Sequence, residues 1–179
     1  MIKSAEISDC GVYRSMLLRL WDEALPVLVV IMLNPSTADA EIDDPTILNL
    51  IQRAKHNGYG AILVVNLCDF RSPHPSELMK AAEPTGPNFA DHMAEALERA
   101  QEVGVVLVAW GNGGAMVLPG SHWSEHDLMM DNITDNYPDL LPVCIGLTKD
   151  GYPKHPLARG VHRVPVEAKF QPFKWDAPI

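Results

Sequence analysis

The stretch that most constrains the fold is residues 27–39, VLVVIMLNPSTAD. Seven consecutive apolar residues, rich in β-branched Val and Ile, run straight into Asn34-Pro35-Ser36-Thr37. An apolar run of this kind, ended by Asn-Pro, reads as a strand buried on both faces. Such strands belong to parallel sheets covered by helices. In open α/β sheets the ligand site lies just beyond the carboxyl ends of the strands. Asn34 is therefore the first place to look for chemistry.

The same grammar recurs three times. Residues 61–65 (AILVV) end at Asn66, and residues 105–109 (VVLVA) end at Trp110-Gly111-Asn112. Residues 141–147 (LPVCIGL) lead into Thr148-Lys149-Asp150 and on to Lys154-His155. Between these runs, helices are expected. One opens at Pro45, is capped by Asp43 or Asp44, and is ended by Gly58 and Gly60. Its buried face is Ile47, Leu48, Leu50, Ile51 and Ala54. Others are expected over 76–82, 88–102 and 125–133. Residues 13–21 read as a strand, followed by a turn over 22–26, pairing antiparallel beside the 27–33 strand near an edge. A weak last strand is expected at 161–166, with the aromatic residues after it packed on the sheet rim. The alternation predicts a three-layer α/β/α sandwich around a mainly parallel sheet, with an antiparallel N-terminal strand, in a single domain spanning 1–179. Right-handed crossovers put the four strand ends on one side. The loops at Asn34-Pro35-Ser36, Asn66, Trp110-Gly111-Asn112 and 148–155 then converge.

The chain bounds its own partners. Its net charge of −9 argues against bulk electrostatic grip on nucleic acid. The local exception is the late basic stretch with Lys149, Lys154, His155, Arg159 and Arg163. No apolar run approaches the ~20 residues that span a bilayer, so no membrane partner is expected. The first residues lack a signal-peptide core. Cys10, Cys68 and Cys144 stand far apart without a C-x-x-C pair, and Cys68 and Cys144 lie in or beside apolar runs, which points to buried thiols in a reducing cytoplasm.

Each candidate also has a plainer role. Asn34 and Asn66 can be turn residues. Trp110 can fill the core rim. Gly111, Gly113 and Gly114 can make a tight turn, since the dinucleotide-binding spacing is absent. Asp39, Glu41, Asp43 and Asp44 can cap a helix, or hold Mg²⁺ beside a phosphate. His122 and His126 are four apart and would share a helical face, but no third ligand accompanies them. No metal or cofactor is expected. Lys149 and Lys154 can be solvated loop charges. The cysteines have no neighbouring base, so a thiol nucleophile is not expected.

The stretches MLNPSTAD, DDPT, NGYG, VVNLCDFRS, VAWGNGG and GLTKDGYPKHPL resemble domain-of-unknown-function family 1643 over about residues 13–157. The family name implies no activity. More distantly, the order Asn34-Pro35, Asn66, Trp110-Gly111, His155-Pro156 resembles the uracil-DNA glycosylase superfamily. That resemblance implies a uracil-DNA glycosylase-like fold. It implies that Asn34 orients the attacking water, that Asn66 reads the base, and that His155 stabilises the departing base. The remaining substrate-binding residues are then Pro35, Ser36, Trp110, Gly111, Asn112, Lys149 and Lys154. The chain departs from that pattern at several points. Met32 stands where the superfamily has glycine, and Ser36 follows Pro35. Tyr59 is the one candidate to stack on the base. Leu157-Ala158-Arg159 follow His155-Pro156 in place of serines.

The resemblance implies a hydrolase of the N-glycosidic bond of a modified or damaged nucleobase. The bond breaks through an oxocarbenium-like sugar, so water needs positioning more than deprotonation. An acidic chain has little with which to offset the few kcal/mol (~2–4) of base flipping. A free nucleobase, a nucleotide or single-stranded DNA is thus the expected partner. Two alternatives stay open. One is a non-catalytic nucleobase- or nucleotide-binding module at the same loops. The other is a metal-dependent nucleotide hydrolase or base-modifying transferase using the 39–44 acids and Lys149.

Overall fold

The computed structural model describes residues 1–118 and 120–174. Its strands are β1 (Ile2–Ile7), β2 (Arg14–Leu20), β3 (Val27–Met32), β4 (Ala61–Asn66), β5 (Val105–Val108), β6 (Leu141–Cys144) and β7 (Gln171–Pro172). Its helices are α1 (Pro45–His56), α2 (Pro75–Leu78), α3 (Phe89–Val103) and α4 (Glu125–Asn136). All seven strands join one sheet in the order β1-β2-β4-β3-β5-β6-β7. The fold is mixed α/β.

The expected apolar runs form the centre of the sheet, where β4, β3, β5 and β6 pair in parallel. The pairings β1–β2, β2–β4 and β6–β7 are antiparallel. The sheet is therefore evenly mixed rather than mainly parallel, because antiparallel strands from both ends of the chain extend its two edges. The alternation of strand residues explains the layers. Leu28, Val30 and Met32 of β3 pack with Ile47, Leu50, Ile51 and Ala54 of α1. Val29 and Ile31 face the other way, onto Met93, Ala96 and Leu97 of α3 and Met129, Met130 and Ile133 of α4.

Several expectations are corrected. β2 pairs with β4, not with β3. The reason sits at Gly60, whose carbonyl accepts the Trp21 and Asp22 N–H groups at 2.9 and 3.0 Å and whose N–H donates to the Pro26 carbonyl at 2.9 Å. A Cβ on Gly60 would overlap the Asp22 carbonyl and lie 2.8 Å from Leu25 Cβ. Only glycine lets the start of β4 wedge between the end of β2 and the start of β3. β1 is an edge strand with mostly exposed residues, absent from the sequence reading. Residues 161–166 form no strand, apart from a 3₁₀ turn at Gly160–His162. Arg53 supplies the donors that a sheet would have, with its Nη1 and Nη2 on the Pro165 and Val164 carbonyls at 2.8 and 2.7 Å. β6 stops at Cys144, because Gly146 has φ +146° and Leu147 turns back to bridge Pro153.

Asp44 caps α1, accepting the Ile47 N–H at 2.9 Å. Leu48, expected on the buried face, is half exposed. Of the tail aromatics, Phe173 is buried and Phe170 packs against Tyr59; Trp175 lies outside the described residues. Among the described residues, no helix is long and apolar enough to cross a membrane.

Candidate functional site

The strand order sets Asn66, Asn34, Trp110-Gly111 and the 146–154 loop side by side, at the carboxyl ends of β4, β3, β5 and β6. Met32 and Asn66 are partners in register. The Ala109 N–H donates to the Ile31 carbonyl at 2.9 Å, and the Gly111 N–H to the Pro153 carbonyl at 2.8 Å.

Asn34 stitches two loops together. Its Nδ2 donates to the Ser72 carbonyl at 2.9 Å and reaches the Phe70 carbonyl at 3.4 Å. The Ser72 N–H returns to the Pro35 carbonyl at 2.9 Å. The amide nitrogen is thus committed to the protein, and Oδ1 is the atom left to accept a hydrogen bond from a ligand or water. Pro35 is buried, and Ser36 is half-buried beside it.

Asn66 is 2% exposed. Its Oδ1 is 3.5 Å from Nη2 of Arg14, a long contact that still fixes which end of the amide faces the cation. Arg14 is itself 3% exposed. Its Nη1 donates to the Ala38 carbonyl at 3.0 Å, while its Nε has no hydrogen-bond partner among the described residues. Burial lowers the Arg14 guanidinium to about 10; the Asp44 carboxylate opposes this, and the Arg71 and Arg19 charges reinforce it. Arg14 was legible only as one of two arginines in an amphipathic strand. It pairs with Ile7 beyond a register shift of β1 and β2, and the loop after Asn34 covers its side chain through the Ala38 carbonyl.

His155 lies against Gly111. A Cβ built on Gly111 would be 3.6 Å from the His155 Cβ, and Gly111 holds φ +68°. The Leu157 N–H donates to His155 Nδ1 at 3.1 Å, so the imidazole proton sits on Nε2. Burial pulls the His155 pKa below its ordinary 6.5, against the pull of Asp44. His155 is thus a neutral donor at neutral pH. The field of Asp44 reaches both His155 and Arg14, which ties the two ends of the site together.

The other expected residues are spread more widely. Trp110 is 2% exposed and sits in the core on the α3/α4 face. Gly113 and Gly114 press against Leu33 and the Trp110 indole, so these glycines serve packing. Asn112 donates through Nδ2 to Asp150 at 2.7 Å, tying the turn after β5 to the loop after β6. Lys149 is exposed at the tip of that loop. The Lys154 side chain lies over Gly146 instead. Tyr59 packs against Phe170.

The acids after Asn34 have structural work. Asp39 accepts the Glu41 and Ile42 N–H groups, Asp43 pairs with Lys3 and Arg19, and Asp44 caps α1. His122 precedes α4, which starts after a Ser124 cap, so it does not share a helical face with His126. His126 is enclosed by the rings of Trp110, Tyr152 and Phe173. Among the described residues, no group of three or more His, Cys, Asp or Glu is arranged to hold a metal. Burial pushes the Cys68 and Cys144 thiols up, away from nucleophilic use.

Next to the His155 loop runs an open cleft of about 890 Å³ between α1 and residues 156–167. Arg53, Arg159 and Arg163 line it, with Glu167 as the acid among them.

Comparison with curated proteins finds no match, and neither does comparison with solved structures. The match to a family runs over residues 14–157, from the buried Arg14 to the end of the His155 loop. On that match, the chain belongs to the family described as protein of unknown function (DUF1643).

Proposed function

We propose that the chain has a uracil-DNA glycosylase-like fold and hydrolyses the N-glycosidic bond of a modified or damaged nucleobase at the carboxyl ends of β3, β4 and β6. The observation that carries this reading is His155: a neutral imidazole whose Nδ1 is taken by the Leu157 N–H. Its Nε2–H is then the atom offered to a departing base. In the reaction the C1′–N bond breaks and its electron pair leaves with the base. His155 Nε2–H stabilises that developing anion by hydrogen bonding, an effect typically worth ~3–4 kcal/mol. Asn34 Oδ1 accepts from the attacking water, whose oxygen bonds to C1′. The water's second proton passes to solvent, and the base anion takes one back. Asn66 contributes the base-reading amide.

Arg159 and Arg163 in the adjoining cleft suit a phosphate-bearing strand. Single-stranded DNA or a nucleotide is therefore the proposed substrate form, in the cytoplasm.

The test is detection of free base by mass spectrometry after incubation with single-stranded oligonucleotides and nucleotides carrying a panel of modified bases. Release by the wild type and none by Asn34→Ala, with the variant folded, is the expected result. Tight binding with no released base would replace the hydrolase by a binding module. Activity that survives in Asn34→Ala would refute the role given to Asn34.

A further inference from the structure

Arg14 and Arg19 of β2 both reach the 38–43 loop, and they are treated very differently. Arg19 is fully buried and fully partnered: Nε meets the Asp43 carboxylate, and its remaining nitrogens meet the Ser4, Leu18, Asp39 and Ile42 carbonyls. Arg14 is equally enclosed, yet among the described residues no carboxylate touches it. Its contacts are the neutral Ala38 carbonyl and the Asn66 amide oxygen, and its Nε is unpartnered. Asp44, the acid whose field reaches it, is spent on capping α1. Arg71 brings a second positive charge close to Arg14, with its own buried Nε unpartnered and its Nη1 on the Gly11 carbonyl. Buried charges are ordinarily paired, and an uncompensated one is costly.

We infer that Arg14, with Asn66 beside it and Arg71 behind, forms a donor-only site for an anionic oxygen group of the ligand, a phosphate or a carboxylate. The inference rests on the reading that the strand ends bind the ligand. Asn66 turns its Oδ1 toward the guanidinium, so its Nδ2–H₂ is what remains for a ligand. Arg14 offers Nε–H. Asn66 reads the ligand through its amide donor, so an acceptor oxygen is what fits beside it, and an anionic oxygen on the ligand supplies the counter-charge that the protein withholds. The Ala38 carbonyl now on Nη1 places the site under the loop that follows Asn34.

Asn66→Asp tests this, because it is isosteric, removes the Nδ2 donor and sets a carboxylate against the Arg14 guanidinium. Thermal unfolding of the full chain would be followed with inorganic phosphate, a nucleoside monophosphate, a pyrimidine carboxylate and a neutral nucleoside. In the wild type the anions should raise the midpoint, and the neutral nucleoside should do so less. Phosphate-bearing probes alone, or the carboxylate alone, would assign the source of the group. In Asn66→Asp the ligand-free midpoint should rise above wild type and the anion response should fall at least ~5-fold, by mass action. A lower midpoint with an undiminished anion response would overturn the inference. So would a wild type that responds to no anion; base release measured in that same preparation would still decide the hydrolase reading separately. Arg14→Lys keeps the charge and should retain part of the response.

Discussion

Gly111 packs against His155, with its N–H bound to the Pro153 carbonyl at 2.8 Å and its φ at +68°. The contact joins the turn after β5 to the loop after β6 and sets where the imidazole stands. An alanine at 111 would meet His155 Cβ at an ordinary 3.6 Å, so crowding is slight. The backbone is the obstacle: a left-handed conformation costs a non-glycine residue about 1–2 kcal/mol. Gly111→Ala should therefore destabilise the fold by that amount in urea titrations. Base release should fall further than stability does, because relaxing φ moves His155.

Asn34 ties the 34–38 loop to the 70–72 loop as a donor, through the Phe70 and Ser72 carbonyls. A carboxylate activates water better than an amide, yet it cannot donate. Asn34→Asp should thus be less stable than Asn34→Ala, since its oxygens would face two carbonyls at close range. The expected losses are about 1–2 kcal/mol for the alanine variant and more for the aspartate. Chemical denaturation of the two variants side by side checks the order.

Stability should respond to pH in two opposing ways. Burial lowers His155 below 6.5, so the unfolded chain binds more protons just under that pH. This contribution is present above pH 6.5 and is lost as pH falls. Glu125, half-buried beside Leu67, Phe89 and Met93, is raised by burial from 4.5 to about 7. Here the folded chain binds more protons between those values, so its contribution is present at low pH and is lost as pH rises to about 7. Urea unfolding from pH 4.5 to 8 should show the acid-side loss diminished in His155→Gln. The rise-side loss should be diminished in Glu125→Gln.

The central sheet was readable because its strands are continuous apolar runs that end in Asn, Trp-Gly or a basic loop. The edges were not. β1 is mostly exposed, with little hydrophobic signal. The place of β2 depends on Gly60 fitting beneath the Asp22 carbonyl, a contact no local pattern announces. Val161, apolar in a strand-like stretch, is 95% exposed, since Arg53 rather than a neighbouring strand satisfies that backbone. At the site, Asn34, Asn66 and His155 stood out as the residues where strands stop or loops turn. Arg14 did not, because a charge near the start of a strand reads as a solvent-facing residue until the loop that covers it, through Ala38, is known.

The cleft beside the His155 loop separates a strand substrate from a free nucleotide. Arg159 and Arg163 are exposed along it. Replacing both by alanine should weaken binding of a single-stranded oligonucleotide and lower the slope of log K against log salt by about 1.4, two phosphates' worth. Affinity for a nucleoside monophosphate should not change. Fluorescence anisotropy across a salt series measures both.

The central claim is that a neutral His155 stabilises a departing base. It is tested most directly by single-turnover base release at pH 7.5, on the best substrate of the modified-base panel, in wild type and His155→Ala. The rate should be lower by about 10²–10³-fold in the variant, with ligand binding retained. Equal rates in the two proteins would contradict it.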